Sequence, residues 1–245
     1  MIQSQSESFT NWQVWPDAPH LSEIALAETL DGGQAFRWNR QNGYFEGRWA
    51  EHVVHLRCHP TGLRILRQPL GETLFGFLCS STKQIPQIKA ICEAVARDLG
   101  EPLPDGSKAL PGWEKIADAG ESRLRAAKLG YRAKYIHQTA HFLRAHPDYL
   151  DQVEAADTEA AREGLMALPG VGRKIADCTL LFGMGRLEAF PIDTWVQKIL
   201  SRAYGLEGWK TEQLLDFARI HFGPAAGLAQ QYLFAAARAG TIAHK

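Results

Sequence analysis

The stretch LPGVGRKIADC, at residues 168–178, places a lysine beside two glycines and a proline. Glycine lets a partner approach the main chain closely and proline fixes a turn, so the pattern predicts a tight corner before a helix. The unpaired N–H groups at the start of that helix suit a phosphate. Lys174 falls in the first turn, where the helix dipole favours a neutral, nucleophilic amine able to form a Schiff base. An ordinary helix–turn–helix corner has the same glycine spacing, so both interpretations stay open.

Asp193 lies between AFPI and the apolar run TWVQKIL, which predicts that its carboxylate caps the N-terminus of a helix. A capping carboxylate held beside a lysine can also stabilise a developing positive charge. Together, Lys174 and Asp193 suit the breaking of a bond to a sugar carbon, which passes through an oxocarbenium-like centre. The capping role does not exclude the chemical one.

The N-terminal part of the 245-residue chain is rich in strand signals. Residues of about 10–68 contain aromatic and β-branched runs, with an Asn42-Gly43 hairpin signal and a further turn signal at 60–62. We therefore expect an antiparallel β-sheet domain over residues 1–70.

From residue 72 onward the apolar residues follow helical spacing, which predicts an all-helical domain over residues 71–245. The expected class is α+β, mainly α. Beyond a helix between Pro86 and Gly100, the predicted helices cover residues 113–119, 122–129, 131–146, 158–167, 173–182, 194–204, 212–222 and 225–239. The helices at 158–167 and 173–182 form a hairpin that carries Lys174.

Charge and hydropathy limit the binding partners and the cellular compartment that we expect for this protein. The formal net charge is zero, so a nucleic-acid surface has to be a local patch. Residues 121–135 supply a candidate, with five basic residues against one acidic and tyrosines among them. The sequence shows no signal peptide and no apolar run long enough for a bilayer, so we expect a protein of the reducing cytoplasm.

The cysteines do not form a metal-binding pattern. Cys58, Cys79, Cys92 and Cys178 are far apart and show no CxxC spacing. This argues against a zinc or iron–sulfur site, so no metal ligands are predicted and the thiols are expected to be free.

Five motifs in order carry a resemblance that extends from about residue 20 to about residue 240. They are DGGQAFRW, LFGFLCSS, LGYRAKYI, LPGVGRKIADC and AFPIDTWV. The chain resembles the helix-hairpin-helix, Gly/Pro-rich, aspartate (HhH-GPD) superfamily of DNA glycosylases, and within it the 8-oxoguanine DNA glycosylase/lyase branch. The resemblance implies a helix-hairpin-helix glycosylase domain after the β domain, damaged double-stranded DNA as the partner, and no cofactor for catalysis.

The resemblance also implies catalytic and base-binding roles. Lys174 matches the lysine that attacks C1′ of the sugar, forms an imine and permits β-elimination, and Asp193 matches the assisting aspartate. Base-binding roles fall to Gly33, whose carbonyl accepts from the N7–H of the oxidised guanine, to Gln230 at its Watson–Crick edge, and to Phe234 and Cys178 on its faces. Residue type alone predicts that Phe234 packs in the core and that Cys178 is a small buried hydrophobic residue.

Further matches concern DNA contact. Tyr131 is expected to enter the space left by the flipped base, and Arg132 to contact the estranged cytosine. Gly170 and Gly172 expose hairpin backbone to a phosphate, and the carbonyls of residues 168–172 are implied to hold a structural monovalent cation.

The chain departs from the animal-type enzymes near the opposite base. Thr82, Lys83, Gln84 and Gln87 stand where those enzymes have an asparagine run and an arginine. We therefore expect Thr82 to lie at the DNA but with fewer donors for cytosine, and weaker discrimination among opposite bases. Trp195 replaces a histidine, so the detail of the phosphate contact on the 5′ side is not carried over.

Two other functions remain in view at this stage. One is an alkylated-base glycosylase of similar architecture, although monofunctional relatives activate water with the aspartate and do not need Lys174. The other is a non-catalytic hairpin module that only binds DNA. We expect a cytoplasmic, nucleoid-associated protein that is a monomer and contacts no membrane.

Overall fold

The computed structural model describes residues 23–41, 44–50, 52–56 and 63–242. The described helices are α1 (Glu23–Asp31), α2 (Leu70–Cys79), α3 (Ile85–Leu99), α4 (Trp113–Leu124), α5 (Arg132–Ala145), α6 (Tyr149–Ala155), α7 (Thr158–Ala167), α8 (Arg173–Met184), α9 (Thr194–Tyr204), α10 (Thr211–Phe222) and α11 (Ala226–Arg238). A π-helical turn (Arg125–Leu129) follows α4, and a 3₁₀ turn (Gly223–Ala225) precedes α11. No described helix has the length and apolar character needed to cross a bilayer.

The strands β1 (Trp38–Gln41), β2 (Tyr44–Trp49) and β3 (His52–Leu56) form one antiparallel sheet in the order β1-β2-β3. Trp38 pairs with Gly47, and a side chain at Gly47 would overlap the Trp38 ring. The absent side chain therefore lets the indole pack across the strand. The Asn42-Gly43 turn and the turn at 60–62 lie outside the described residues.

The strand prediction for residues 10–68 is wrong at α1. The segment EIALAETLD is rich in alanine, leucine and glutamate, which favour helix over strand. Leu26 and Leu30 lie on one face of this helix and pack with Trp38 and Phe45 of the sheet. Residues 63–69 also form no strand, and instead lead directly into α2.

The mainly helical class is confirmed, and most predicted helices are present. Gly120, with φ 76° and ψ 157°, interrupts α4, in keeping with the two helices predicted at 113–119 and 122–129. The sequence did not predict the short helix α6. A large buried cluster joins α2 to α8 around Leu74, Leu180 and Leu181, and a second one joins α9, α10 and α11.

The segment between α1 and β1 is fixed against the helices by buried polar contacts. The Gln34 side chain donates to the Arg64 carbonyl and accepts from the Leu66 N–H, both at 3.0 Å. Gln68 donates to the Gln34 carbonyl at 2.7 Å, and Phe36 packs edge-to-face on Phe77 of α2. These contacts hold the neighbouring Gly33 beside the helical domain.

Candidate active site

An open cavity of about 930 Å³ lies between the hairpin, the start of α9, the α2–α3 turn and α11. This volume is in the range of small-molecule sites. Of the twelve residues predicted for the site, ten line it: Gly33, Thr82, Gly170, Gly172, Lys174, Cys178, Asp193, Trp195, Gln230 and Phe234. The fold therefore brings together residues that are up to 201 positions apart in the chain, from Gly33 to Phe234.

The hairpin between α7 and α8 has the predicted tight corner. Gly170 adopts φ 81°, a left-handed conformation that glycine tolerates, and its bare Cα faces the Tyr135 ring. Thr139 of α5 donates to the Pro169 carbonyl at 3.0 Å, which fixes the corner to α5. Gly172 is the N-cap of α8 and has open space around it, so the first N–H groups of α8 are accessible to a ligand.

A buried ion pair ties the two hairpin helices together. Arg162 of α7 donates to the Asp177 carboxylate of α8 at 2.7 Å, with both side chains more than nine-tenths buried. Burial raises the pKa of Asp177, while the Arg162 guanidinium opposes that rise. Because Asp177 is three residues beyond Lys174, this pair fixes α8 where it carries the amine.

The Lys174 amine is half-buried and lies among three groups. Its Nζ is 3.2 Å from Ser80 Oγ and 5.3 Å from the centroid of the Phe77 ring. The third group is the Cys178 thiol, one turn further along α8. Burial raises the pKa of Cys178 to about 11, and the nearby Lys174 charge acts against this rise. The thiol is therefore neutral at physiological pH.

Asp193 is confirmed as the N-cap of α9. Its Oδ1 accepts from the backbone N–H groups of Trp195 at 3.0 Å and Val196 at 2.8 Å. Both bonds use the same oxygen, and a carboxylate has further lone pairs on Oδ2. The carboxylate is thus held rigidly at the cavity while it retains capacity to interact with a ligand.

The base-binding candidates are partly engaged with the protein itself. The buried Gln230 amide donates weakly to the Pro191 carbonyl at 3.4 Å, and its Oε1 accepts from Gln231 at 2.6 Å. Gln231 is buried, lines the cavity and orients the Gln230 amide, a role that no sequence pattern indicated. The Phe234 ring lies 6.1 Å from the Trp195 indole, which is exposed at the cavity mouth.

The remaining two candidates, Tyr131 and Arg132, do not line the cavity. Tyr131 is 51% exposed and packs edge-to-face against Tyr135. Arg132 is only 4% exposed, and it donates to the Ser81 carbonyl and, at 2.8 Å, to Thr82 Oγ1. In this arrangement its guanidinium is used within the protein, so contact with a cytosine requires it to move.

The predicted basic patch at residues 121–135 is largely engaged in internal pairs. Arg123 binds the Asp98 carboxylate at 2.7 Å, and Arg125 binds Glu121 at 2.6 Å. With Arg132 buried, three of its five cations already have partners inside the molecule. The positive charge that this patch presents at the surface is therefore smaller than the sequence indicates.

In the described part of the chain, no group of three or more His, Cys, Asp or Glu residues lies close enough together to hold a metal ion. The thiols of Cys79, Cys92 and Cys178 are free, as expected, and all three are buried. Cys58 lies outside the described residues.

Comparison with known proteins identifies the family. The family model described as HhH-GPD superfamily base excision DNA repair protein matches residues 76–219. This range is more than half of the chain and includes the hairpin, Lys174 and Asp193. The chain belongs to the HhH-GPD superfamily.

Curated relatives are similar over most of the chain. N-glycosylase/DNA lyase OGG1 of Arabidopsis thaliana is 33% identical over an alignment of 237 residues, and the match covers 89% of this chain and 63% of that protein. N-glycosylase/DNA lyase of Saccharomyces cerevisiae is 36% identical over an alignment of 169 residues, and the match covers 63% of this chain and 45% of that protein. The chain therefore spans less than two thirds of the length of either curated relative.

A solved structure is similar along almost its whole length. It is the Clostridium acetobutylicum 8-oxoguanine glycosylase/lyase in complex with double-stranded DNA containing cytosine opposite 8-oxoG. The TM-score is 0.83 at 29% sequence identity, and the match covers 89% of this chain and 92% of that chain. The small sheet and the helical domain together thus have a counterpart in that enzyme.

Proposed function

We propose that this HhH-GPD protein is a bifunctional DNA glycosylase and abasic-site lyase that removes 8-oxoguanine from duplex DNA. The observation that carries the proposal is that one cavity contains both the Lys174 amine and the Asp193 carboxylate beside Gly33, Gln230 and Phe234. Relatives named N-glycosylase/DNA lyase and a similar 8-oxoguanine glycosylase/lyase structure support it.

The cavity is proposed to take a damaged base turned out of the duplex. A base inside the helix is out of reach of any side chain, so an enzyme that acts on it must extrude it. Phe234 stacks on one face of the base and Cys178 contacts the other, while the Gln230 amide meets its Watson–Crick edge. The Gly33 carbonyl accepts the N7–H that 8-oxoguanine has and guanine lacks, so unmodified guanine presents a lone pair to a lone pair.

The proposed reaction begins at the amine. The Lys174 nitrogen attacks C1′ as the bond from C1′ to the base breaks, and the electron pair leaves with the base, which takes up a proton. Asp193 stabilises the positive charge that develops on the sugar, and because its N-cap bonds hold it in place, little reorganisation is needed.

Strand cleavage follows from the same covalent intermediate. The nitrogen gives one proton to the departed base and the other to O4′ as the C1′–O4′ bond breaks, so that the sugar ring opens and a C1′=N imine joins Lys174 to the sugar. Loss of a proton from C2′ then expels the 3′ phosphate and cuts the strand, and water finally hydrolyses the imine. The alkylated-base alternative lacks a role for Lys174, since a water-activating aspartate is sufficient there.

DNA contact is proposed for the surface around the cavity. The N-terminus of α8, with Gly170 and Gly172, takes a phosphate, while Tyr131 fills the gap left by the extruded base and Trp195 lies near the 5′ side. Arg132 reaches the opposite base after leaving the α2–α3 turn. All these groups come from one chain, so we propose a monomer, which sedimentation with and without duplex DNA tests.

We also propose the structural monovalent cation at the hairpin. The carbonyls of Leu168, Pro169 and Gly172 each accept one hydrogen bond within the protein. A carbonyl has two lone pairs, so each retains one for a cation shared with a DNA phosphate. Replacing K⁺ by the bulky tetramethylammonium at constant ionic strength should weaken duplex binding if this cation is present.

Borohydride trapping tests the proposed function. The purified protein is incubated with a labelled duplex carrying 8-oxoguanine opposite cytosine, with and without borohydride, beside Lys174→Gln and the control Lys115→Gln. Lys115 pairs with Glu101 on the surface and does not line the cavity, so its loss should change nothing. We expect a covalent adduct and a nick from the wild type and Lys115→Gln, and neither from Lys174→Gln.

Other outcomes would contradict specific parts of the proposal. Base loss without an adduct would show a water-using glycosylase. An adduct on a duplex with a pre-formed abasic site, but no action on 8-oxoguanine, would support the lyase activity and exclude 8-oxoguanine as the substrate base. Binding without any reaction on either duplex would favour the non-catalytic hairpin module.

A further inference from the structure

The turn that follows α2 contacts the Lys174 amine through one hydroxyl. Ser80 Oγ lies 2.7 Å from the Phe77 carbonyl, to which it donates, and 3.2 Å from Lys174 Nζ. A hydroxyl has a single hydrogen, which here is directed at the carbonyl, so its oxygen faces the lysine with a lone pair. The bond between Ser80 and Lys174 is therefore donated by the amine.

This direction of donation orients the amine. A neutral amine has two hydrogens and one lone pair, and one hydrogen is held on Ser80 Oγ. The Phe77 ring and the Cys178 thiol also lie near the nitrogen, and both groups line the cavity together with Lys174 and Ser80. We propose that Ser80 is a positioning residue that holds one N–H of Lys174 so that the nitrogen lone pair faces C1′ of the extruded nucleotide. The proposal rests on the proposed lysine chemistry.

Ser80 can serve this role because its own position is fixed. Its backbone N–H donates to the Phe77 carbonyl at 3.0 Å, and its carbonyl accepts from Lys83 N–H at 3.1 Å. The next carbonyl, that of Ser81, accepts from the buried Arg132 guanidinium of α5. A lysine side chain has a flexible four-carbon stem, so a rigid acceptor at its end removes much of its freedom before reaction.

The variants Ser80→Ala, Ser80→Thr and Ser201→Ala separate this role from a general effect on the fold. Alanine removes the acceptor, whereas threonine keeps a hydroxyl that can make the same two bonds. Ser201 is the matched control, since its hydroxyl donates to the Gln197 carbonyl at 2.9 Å within α9. Thermal midpoints are measured for all three, so that a variant with altered folding is recognised.

The first measurement is the single-turnover rate of borohydride trapping on a duplex with a pre-formed abasic site, as a function of pH. For Ser80→Ala we expect the maximal rate to fall about tenfold, the size of one lost hydrogen bond to a charged or reacting group. Its acid limb should also shift to lower pH, because the ammonium loses an acceptor. Affinity for the duplex should stay unchanged. Ser80→Thr should restore both the maximal trapping rate and the position of the acid limb of its pH profile.

The second measurement needs no enzymatic activity. An amine-directed acylating reagent is applied to the DNA-free protein over a range of pH, and modification of Lys174 is compared with that of Lys115 by mass spectrometry. Lys174 in Ser80→Ala should react at lower pH than in the wild type and in Ser201→Ala. Unchanged labelling, or wild-type trapping by Ser80→Ala, would overturn the positioning role. Wild-type protein that fails to trap while the labelling shift is present would overturn the proposed function instead.

Discussion

Gly170→Ala and Gly172→Ala should separate folding of the hairpin from its contact with DNA. Gly170 has φ 81°, where an L side chain is strained by about 1–3 kcal/mol. A Cβ at this position would also lie 2.7 Å from the Tyr135 Cβ, which is bonded to the backbone and cannot rotate away. Overpacking of this kind costs about 1–3 kcal/mol, so the free energy of unfolding should fall by about 2–6 kcal/mol in total.

Gly172→Ala provides the matched comparison. Gly172 has φ −92°, and no atom lies within 4 Å of the point that an alanine Cβ would occupy, so this variant should lose less than about 1 kcal/mol of unfolding free energy, mainly through the N-cap preference. The methyl group should nevertheless crowd a phosphate at the α8 N-terminus and weaken duplex binding. Urea unfolding followed by tryptophan fluorescence measures the first effect, and fluorescence anisotropy with labelled duplex the second.

The double variant Gly170→Ala/Tyr135→Ala tests the source of the Gly170 effect. Tyr135→Ala keeps the Cβ but removes the ring carbons that would lie 2.9 and 3.4 Å from the new methyl group. The double variant should therefore regain part of the lost unfolding free energy and retain the backbone strain and the contact with the Tyr135 Cβ. Equal stability of Gly170→Ala and Gly172→Ala would refute the reasoning, since the two sites differ in both φ and available space.

Three further predictions concern pH, the ion pair and the opposite base. Burial raises the pKa of Cys178 from near 9 to about 11, so the folded state retains a proton that the unfolded state releases in that window. Raising the pH from 9 to 11 should therefore lower the wild-type free energy of unfolding by about 2 kcal/mol more than that of Cys178→Ala, as measured by urea titration at each pH. Arg162→Met leaves the buried Asp177 carboxylate with only a longer, 3.7 Å contact to Arg173, and should lower the free energy of unfolding by about 3–5 kcal/mol at neutral pH. The loss should be smaller at acid pH, where Asp177 is protonated, and in the double variant with Asp177→Leu. With few donors near the opposite base, single-turnover excision should show only weak discrimination between cytosine and adenine, and a cytosine preference of several orders of magnitude would contradict this.

Local sequence signals predicted the parts of the site that depend on near neighbours. The N-cap at Asp193 was predictable because an acidic residue before an apolar helical run satisfies the first N–H groups of the helix. The corner at Gly170 and the start of α8 were predictable from residue types that permit one backbone conformation and disfavour others. The helix α1 was missed because the strand signals of the adjacent segment outweighed its alanine and leucine content.

The sequence by itself determined which chemistry the chain carries: an amine at a helix N-terminus, a capping carboxylate after it, and motifs in the order of a glycosylase family. Only the tertiary structure decided how these groups meet. Gly33, Ser80, Lys174 and Gln230 line one cavity although they lie on separate elements, and Arg132 is turned inward onto the α2–α3 turn. The physical reason is that burial and hydrogen-bond partners depend on the packing of distant segments, whereas caps and turns depend on a few adjacent residues.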